Sequence, residues 1–517
     1  MRPSSWGLIP RSAAKPASAA PPTKRAASPS RSGSRTALRI PFGPLSERPL
    51  AQRVAANTAV QLAGKAAVLA IAAGSIVVLT RYLGPGDYGR YVLALTFVQL
   101  VGVLADAGLA TIVVREASRD PARASALVGN ALTLRLLLSF AVIAVAGLLS
   151  LALPYEPDVR VAILLAGVPL LFGMLASAIG AVFQAELRMG RVAAAEVAGR
   201  AAAFGGVIVV AALDLGFFAA IGTAGAGALV TLAVTWLAAR RHAAVRFRAS
   251  TATWRRLLGA GLPVGLALTI NEFYIRADIV IISVFLDFDE VGLYSLAYRI
   301  LEVSSLLGTA FLTSIFPVMS RHAGRSPERF RATVQGAWDV FVIVGMPVAV
   351  CGGVLAPEIV RLAGGGDFAA AAEPLRLLLA AGAIAFVNGV IGYALIAVER
   401  QRKALWLNVA GLVVNAGLNL ALVPAFGIVA AAAVTLFSEA MVLVGGLWLA
   451  RRHLGFVPTL AVLPSAAAAA GVTGAVLLAL PWSTLAVLAP VAAGLYAGLL
   501  LSVSPRGREL AAAGLGR

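Results

Sequence analysis

The chain of 517 residues contains one cysteine and three histidines. A lone Cys351 excludes an internal disulfide framework and any Cys-rich metal centre. His242, His322 and His453 each stand beside an arginine in expected loops and read as solvated loop residues. Charge is equally sparse. Only 13% of residues are Asp, Glu, Lys or Arg, against roughly 25% in a soluble domain. Acids are scarcer than bases, 24 against 43. No Gly-x-x-x-x-Gly-Lys-Ser/Thr loop is present, so no P-loop for ATP is encoded.

What is present is apolar. The sequence is 60% hydrophobic and its mean hydropathy is +0.88. Runs of about 20 apolar residues recur along the chain, the length that crosses a bilayer as a helix. Fourteen such spans are expected: 58–80, 90–112, 127–153, 159–183, 193–212, 216–239, 257–286, 291–317, 334–356, 374–397, 404–423, 427–449, 458–480 and 483–503. Residues 1–54 differ. They are rich in Pro, Ser, Ala and basic residues, lack an apolar signal core, and read as a disordered basic tail at an anionic membrane surface.

The net charge of +19 is explained by where the bases lie, not by nucleic acid. Connections after even-numbered spans hold twenty Lys and Arg, and those after odd-numbered spans hold five. The positive-inside rule then places both termini, including the tail 506–517, in the cytoplasm.

An internal repeat adds to this. "VLTRYLGPGDYGRYVLAL" (78–95) aligns with "IISVFLDFDEVGLYSLAY" (281–298) at a shift of 203 residues. The alignment pairs Leu83 with Leu286, Gly89 with Gly292 and Tyr91 with Tyr294. Both stretches cover the end of an odd span, a turn and the start of an even span. The expected fold is therefore an all-α integral membrane protein. Two six-helix lobes, 55–245 and 246–455, are related by a parallel pseudo-two-fold repeat, with two further helices in 456–505. Parallel repeats of this kind place a transport site between the lobes.

The intramembrane charges are the candidate chemistry, because such groups normally face a bundle interior or water. Glu272, Arg276 and Asp278 fall in one run, "NEFYIRADIVIISVF". Glu272–Arg276 and Glu196–Arg200 are spaced i,i+4, and Arg299–Glu302 i,i+3, so each pair shares a helix face and is equally suited to neutralising itself. Arg276 and Arg299 fall at a similar depth on adjacent spans and are candidates to hold a diphosphate. Lys65 and Arg135 add positive charge on the N-terminal side of the cavity. Glu272, Asp278, Glu302, Asp339 and Glu439 are candidates for charge balance or for proton or Na⁺ coupling. No catalytic residue, metal site or cofactor is expected.

The stretches "TRYLGPGDYGRYVLALTFVQLVGVLADAGLATIVVREASRD" (80–120) and "ADIVIISVFLDFDEVGLYSLAYRI" (277–300) resemble bacterial polysaccharide and oligosaccharide flippases (Wzx-like). That resemblance implies the multidrug, oligosaccharidyl-lipid and polysaccharide exporter superfamily. It implies a bacterial cytoplasmic-membrane protein that moves a polyprenyl-diphosphate-linked oligosaccharide between leaflets for cell-surface polysaccharide biosynthesis. Its partners would be the lipid-linked substrate, membrane lipids, glycosyltransferases and a polysaccharide polymerase, with no nucleic acid. Two alternatives stand beside it. One is a drug/ion antiporter of the same superfamily. The other is a membrane glycosyltransferase or assembly scaffold, for which "DFDE" (287–290) is the only external acidic cluster and otherwise reads as a solvated turn.

Overall fold

The computed structural model describes residues 50–106, 108–120, 123–186, 188–240, 246–480 and 485–514; the basic tail up to residue 49 lies outside them. Among the described residues every regular element is a helix. The first half of the chain forms α1 (Leu50–Asp106), α2 (Leu109–Arg119), α3 (Ala124–Leu151), α4 (Pro157–Ala185), α5 (Met189–Ala212) and α6 (Gly216–Ala239). The second half forms α7 (Thr251–Phe285), α8 (Phe288–His322), α9 (Pro327–Val354), α10 (Ala356–Gly364), α11 (Ala372–Ala397) and α12 (Gln401–His453). Helices α13 (Leu463–Ala479), α14 (Leu485–Val503) and α15 (Pro505–Gly514) follow. Nine helices among the described residues are long and apolar enough to cross a membrane. The 35-residue α7 adds a further long helix that carries Glu272, Arg276 and Asp278.

Spans 1 and 2 run together in α1 as two helices that meet at a kink where Gly84 takes φ 67° before Pro85, so the expected break between them stands. Spans 11 and 12 likewise meet within α12 at a kink at Gly427, φ 66°. A left-handed φ is open to glycine without steric penalty, so two helices can join there with no intervening loop. Other expected boundaries are corrected. Span 2 stops at Asp106, and α2 begins after the left-handed Gly108. The expected tail from residue 506 begins inside helix α15. "DFDE" is a helix start: Asp287 caps α8 by accepting from the Glu290 N–H at 3.0 Å, and Asp289 and Glu290 lie in its first turn.

The two repeated stretches lie against each other. A Cβ at Gly89 would overlap the Phe288 carbonyl oxygen, and one at Gly292 would overlap the Pro85 carbonyl oxygen. Around this contact one apolar core joins both halves of the chain. It holds Tyr88, Leu93 and Ala94 from α1, Tyr155 and Val159 beside α4, Ile282 from α7, Tyr294 and Leu296 from α8, and Phe368. Polar links reinforce the junction. The Thr80 hydroxyl donates to the Ala363 carbonyl at 2.7 Å, the Arg81 guanidinium to the Leu362 carbonyl at 3.0 Å, and Tyr155 and Ser283 share a hydrogen bond of 2.8 Å.

The opposite end is built differently. Phe330, Trp338, Phe386, Leu395 and Leu449 form a core drawn from the second half with the C-terminal helices. Leu132, Ile179, Phe183 and Ala239 form one from the first half alone. The segment before α7 and the start of α7 cross over, with the Arg248 N–H donating to the Gly129 carbonyl at 3.2 Å and Leu257 packed with Leu109, Ile112 and Val128. The halves are thus sealed at the end carrying the repeated turns and are joined at the other end through α7.

Gly292→Ala should destabilise the protein by about 1–3 kcal/mol, the usual cost of overpacking a tight contact. Thermal unfolding should show the drop, whereas Gly392→Ala, where an added Cβ meets nothing within 4 Å, should leave the midpoint unchanged.

Candidate functional site

The i,i+4 spacing on α7 and the i,i+3 spacing on α8 bring four charges into one continuous chain. Arg276 Nε donates to Glu272 Oε2 at 3.1 Å, and Arg276 Nη2 meets Glu302 Oε1 at 3.0 Å. The other Glu302 oxygen accepts from Arg299 Nη1 at 2.7 Å. One carboxylate on α8 therefore bridges guanidiniums on both helices. These side chains are not sealed away: 36% of Glu272, 20% of Arg276, 22% of Glu302 and 37% of Arg299 is exposed. Charged groups within membrane helices normally face a bundle interior or water rather than lipid.

Arg299 reaches the first half of the chain. Its charge acts on the buried Tyr88 and on Tyr91 of α1, and Arg200 of α5 acts on Tyr91 at longer range. Arg200 and Glu196 are both exposed and form no ion pair with each other, although their spacing allows one. Arg200 is the functional candidate that sequence reasoning set aside. Its proximity to Tyr91 depends on how α5 packs against α1, which no local spacing encodes.

Other candidate residues lie elsewhere. Arg135 is enclosed within the first half, with 2% of its side chain exposed. It pairs with Asp106 and donates to the Met174 carbonyl at 3.0 Å. It is therefore a buried structural cation in this conformation, not a cleft contact. Lys65 is exposed on α1 and takes no part in the described ion pairs. Asp339 is 2% exposed and ties down the C-terminal helix: Arg506 Nε reaches it at 3.1 Å and Gln335 Nε2 at 2.6 Å. Its geometry is that of a tether. A cavity of about 530 Å³ beside it, lined by Pro464, Ser465, Ser504 and Arg506, is separate from the α7–α8 charges.

Asp278 and Glu439 form a third arrangement. Asp278 is 2% exposed and has no basic partner within ion-pair distance. It accepts from Tyr294 Oη at 2.9 Å, Thr435 Oγ1 at 3.1 Å and Asn419 Nδ2 at 3.1 Å. Asn419 also donates to Asn415 at 3.0 Å. One turn away, Glu439 accepts from Tyr274 Oη at 2.8 Å and Asn388 Nδ2 at 2.7 Å. Tyr274 and Asp278 are i,i+4 on α7, and Thr435 and Glu439 are i,i+4 on α12, so two polar rungs join these helices. A carboxylate among neutral donors in a low-dielectric interior is costly as a bare ion, and a proton or a small cation relieves that cost. The neutral ligands Asn388, Asn415, Asn419 and Thr435 escaped sequence reasoning, which scored formal charge. The Asn-x-x-x-Asn spacing inside an apolar run was the available signal.

Removing Arg135 leaves Asp106 with no counter-charge in the interior. Breaking such a pair costs about 3–5 kcal/mol. Arg135→Ala should therefore fail in thermal stability and folded yield, whereas Arg299→Ala, at a partly open position, should keep both.

The geometry can now be set beside known proteins. The sequence pattern of the polysaccharide biosynthesis protein family matches residues 78–373. The probable low-salt glycan biosynthesis flippase Agl15 of Haloferax volcanii is 27% identical over 261 residues, which cover 50% of this chain and 55% of that protein. The chain thus spans about half the length of this curated relative. Among solved structures, the lipid II flippase MurJ in an inward closed conformation superposes with a TM-score of 0.73 at 11% identity, covering 90% of this chain and all of MurJ. An inward-facing multidrug resistance MATE transporter of the MOP superfamily gives 0.58 at 16% identity, covering 75% of this chain and 94% of that one. A MOP superfamily transporter from Pyrococcus furiosus gives 0.53 at 16% identity, covering 78% and 95%. At these identities the structures establish the fold, and the match over 78–373 establishes the family. This chain is a member of the polysaccharide biosynthesis protein family, with the fold shared by MurJ and the MATE transporters.

Proposed function

We propose that the protein is a flippase that moves a polyprenyl-diphosphate-linked oligosaccharide across the cytoplasmic membrane by alternating access. The observation that carries this reading is the pair Arg276 and Arg299, held at one level by Glu302 beside the junction of the two halves. Two guanidiniums at that spacing suit a diphosphate, which accepts several charge-assisted hydrogen bonds at once. The glycan names of the relatives agree with such a substrate.

The bias of Lys and Arg supports an orientation with both termini in the cytoplasm, which puts the sealed end outside. The headgroup then enters from the cytoplasmic side while the prenyl tail stays in lipid. Rocking of the 55–245 lobe against the 246–455 lobe, with the 456–505 pair carried along, delivers the headgroup to the outer leaflet. In this reading the cytoplasmic glycosyltransferases that build the oligosaccharide act before the protein, and a polymerase acts after it. Asp278 and Glu439 are the coupling carboxylates: Asp278 is buried, Glu439 is half-buried, and both are bonded only to neutral donors, so proton or Na⁺ occupancy changes the charge of the α7–α12 interface. Glu272 and Glu302 balance the arginines instead.

Reconstituted protein supplied with a lipid-linked oligosaccharide tests the reading through the accessibility of the glycan to an added glycosidase. Wild type should expose the inner-leaflet pool. Arg276→Ala and Arg299→Ala should retain the fold and slow flux by at least about tenfold, in line with truncating one partner of a desolvated charge pair. Asp278→Asn and Glu439→Gln should permit downhill flux but abolish accumulation against a gradient. Wild-type flux in both arginine variants, or movement of cationic drugs in place of the glycan lipid, would overturn the assignment in favour of an antiporter.

A further inference from the structure

We propose that Glu302 is an internal anion that occupies the place of a substrate phosphate, and that substrate binds by displacing it. This rests on the diphosphate reading above and names the residue that sets how tightly the site holds an anion. Each Glu302 oxygen is taken by a different guanidinium, at 3.0 Å from Arg276 and 2.7 Å from Arg299. That is the arrangement a bridging phosphate would adopt. Glu302 is also free to leave. Its side chain is 22% exposed and shares α8 with Arg299, so a rotamer change releases both bonds without moving a helix. Arg276 does not lose its place when this happens, because Glu272 holds its Nε from the other side at 3.1 Å.

The exchange has two consequences. With the cleft empty, Glu302 neutralises guanidiniums that would otherwise stand close together, uncompensated and partly desolvated. A ligand must therefore offer more than the carboxylate does. A diphosphate, with several oxygens and more than one negative charge, meets that condition, and a monophosphate or carboxylate lipid does so poorly. The competition lowers every apparent affinity by one common factor, so only a ligand with strong intrinsic affinity still fills the site at working concentration. At the end of transport the returning carboxylate expels the product, which keeps binding loose enough for turnover.

The full-length protein in lipid nanodiscs, titrated calorimetrically with inorganic diphosphate, farnesyl diphosphate and farnesyl monophosphate, tests this. Glu302→Gln should bind both diphosphates at least about tenfold more tightly, because a close competing charge has been removed. Farnesyl monophosphate should gain by a similar factor, because the fraction of open sites rises equally for every ligand, and glycan-lipid flux should fall as release slows. Similar gains for inorganic and farnesyl diphosphate place the effect at the headgroup. A gain confined to farnesyl diphosphate places it on the lipid chain and overturns the proposal. Glu302→Asp, too short to span both guanidiniums, should fall between wild type and Gln, and serves alone if the Gln variant does not fold. If affinity in both Glu302 variants is unchanged or weaker while Arg276→Ala and Arg299→Ala lose binding, Glu302 only positions the arginines and the displacement idea fails, with the diphosphate site intact. If the arginine variants bind like wild type, the diphosphate site itself is wrong and Glu302 has nothing to displace.

Discussion

The backbone contact between Gly89 and Gly292 is the constraint on which the rest of the architecture depends. Each residue sits just after a turn, one early in the chain and one 203 residues later, and neither site has room for a Cβ. Because the backbones touch there, Tyr88 and Tyr294 are driven into one shared core with Leu93, Leu296 and Phe368. That core closes one end of the molecule. It also fixes how far α8 stands from α1, and so brings Arg299 within reach of Tyr88 and Tyr91.

The distribution of polar groups follows from that closure. Beside the seal, α7 and α8 run as adjacent elements of 35 residues each, and the charges on their facing sides find one another across a partly open space. Deeper in the second half, α7 meets α12, and the polar side chains turn to neutral partners around Asp278 and Glu439. The same helix thus carries two kinds of chemistry one or two turns apart. One face bears balanced charge, and another bears acids bonded to neutral donors. In the proposed flippase a single helix serving both faces would link ligand and ion mechanically, since any tilt of α7 moves both.

Much of this was legible in the sequence, for local reasons. Apolar length and the alternation of basic loops marked a multi-pass membrane protein. Spacings of three and four residues foretold that Arg276 and Arg299 would each meet a carboxylate on their own helix, and the structure adds that Glu302 serves both. The repeated Gly and Tyr marked the two turns, though not that they would touch. What stayed hidden depends on tertiary packing. Arg135 finds Asp106 across 29 residues, and Arg506 finds Asp339 across 167. Glu196 and Arg200, ideally spaced, do not pair.

The central claim is that the Gly89–Gly292 seam is one end of a cleft that opens and closes alternately. Spin-label distances in reconstituted protein test it most directly, with one pair across the seam and another between the α3 and α9 ends at the opposite face. On adding farnesyl diphosphate, the seam pair should lengthen while the opposite pair shortens, and the two changes should share one concentration dependence. Two distances that stay fixed at saturating ligand, or that lengthen together, would contradict the account.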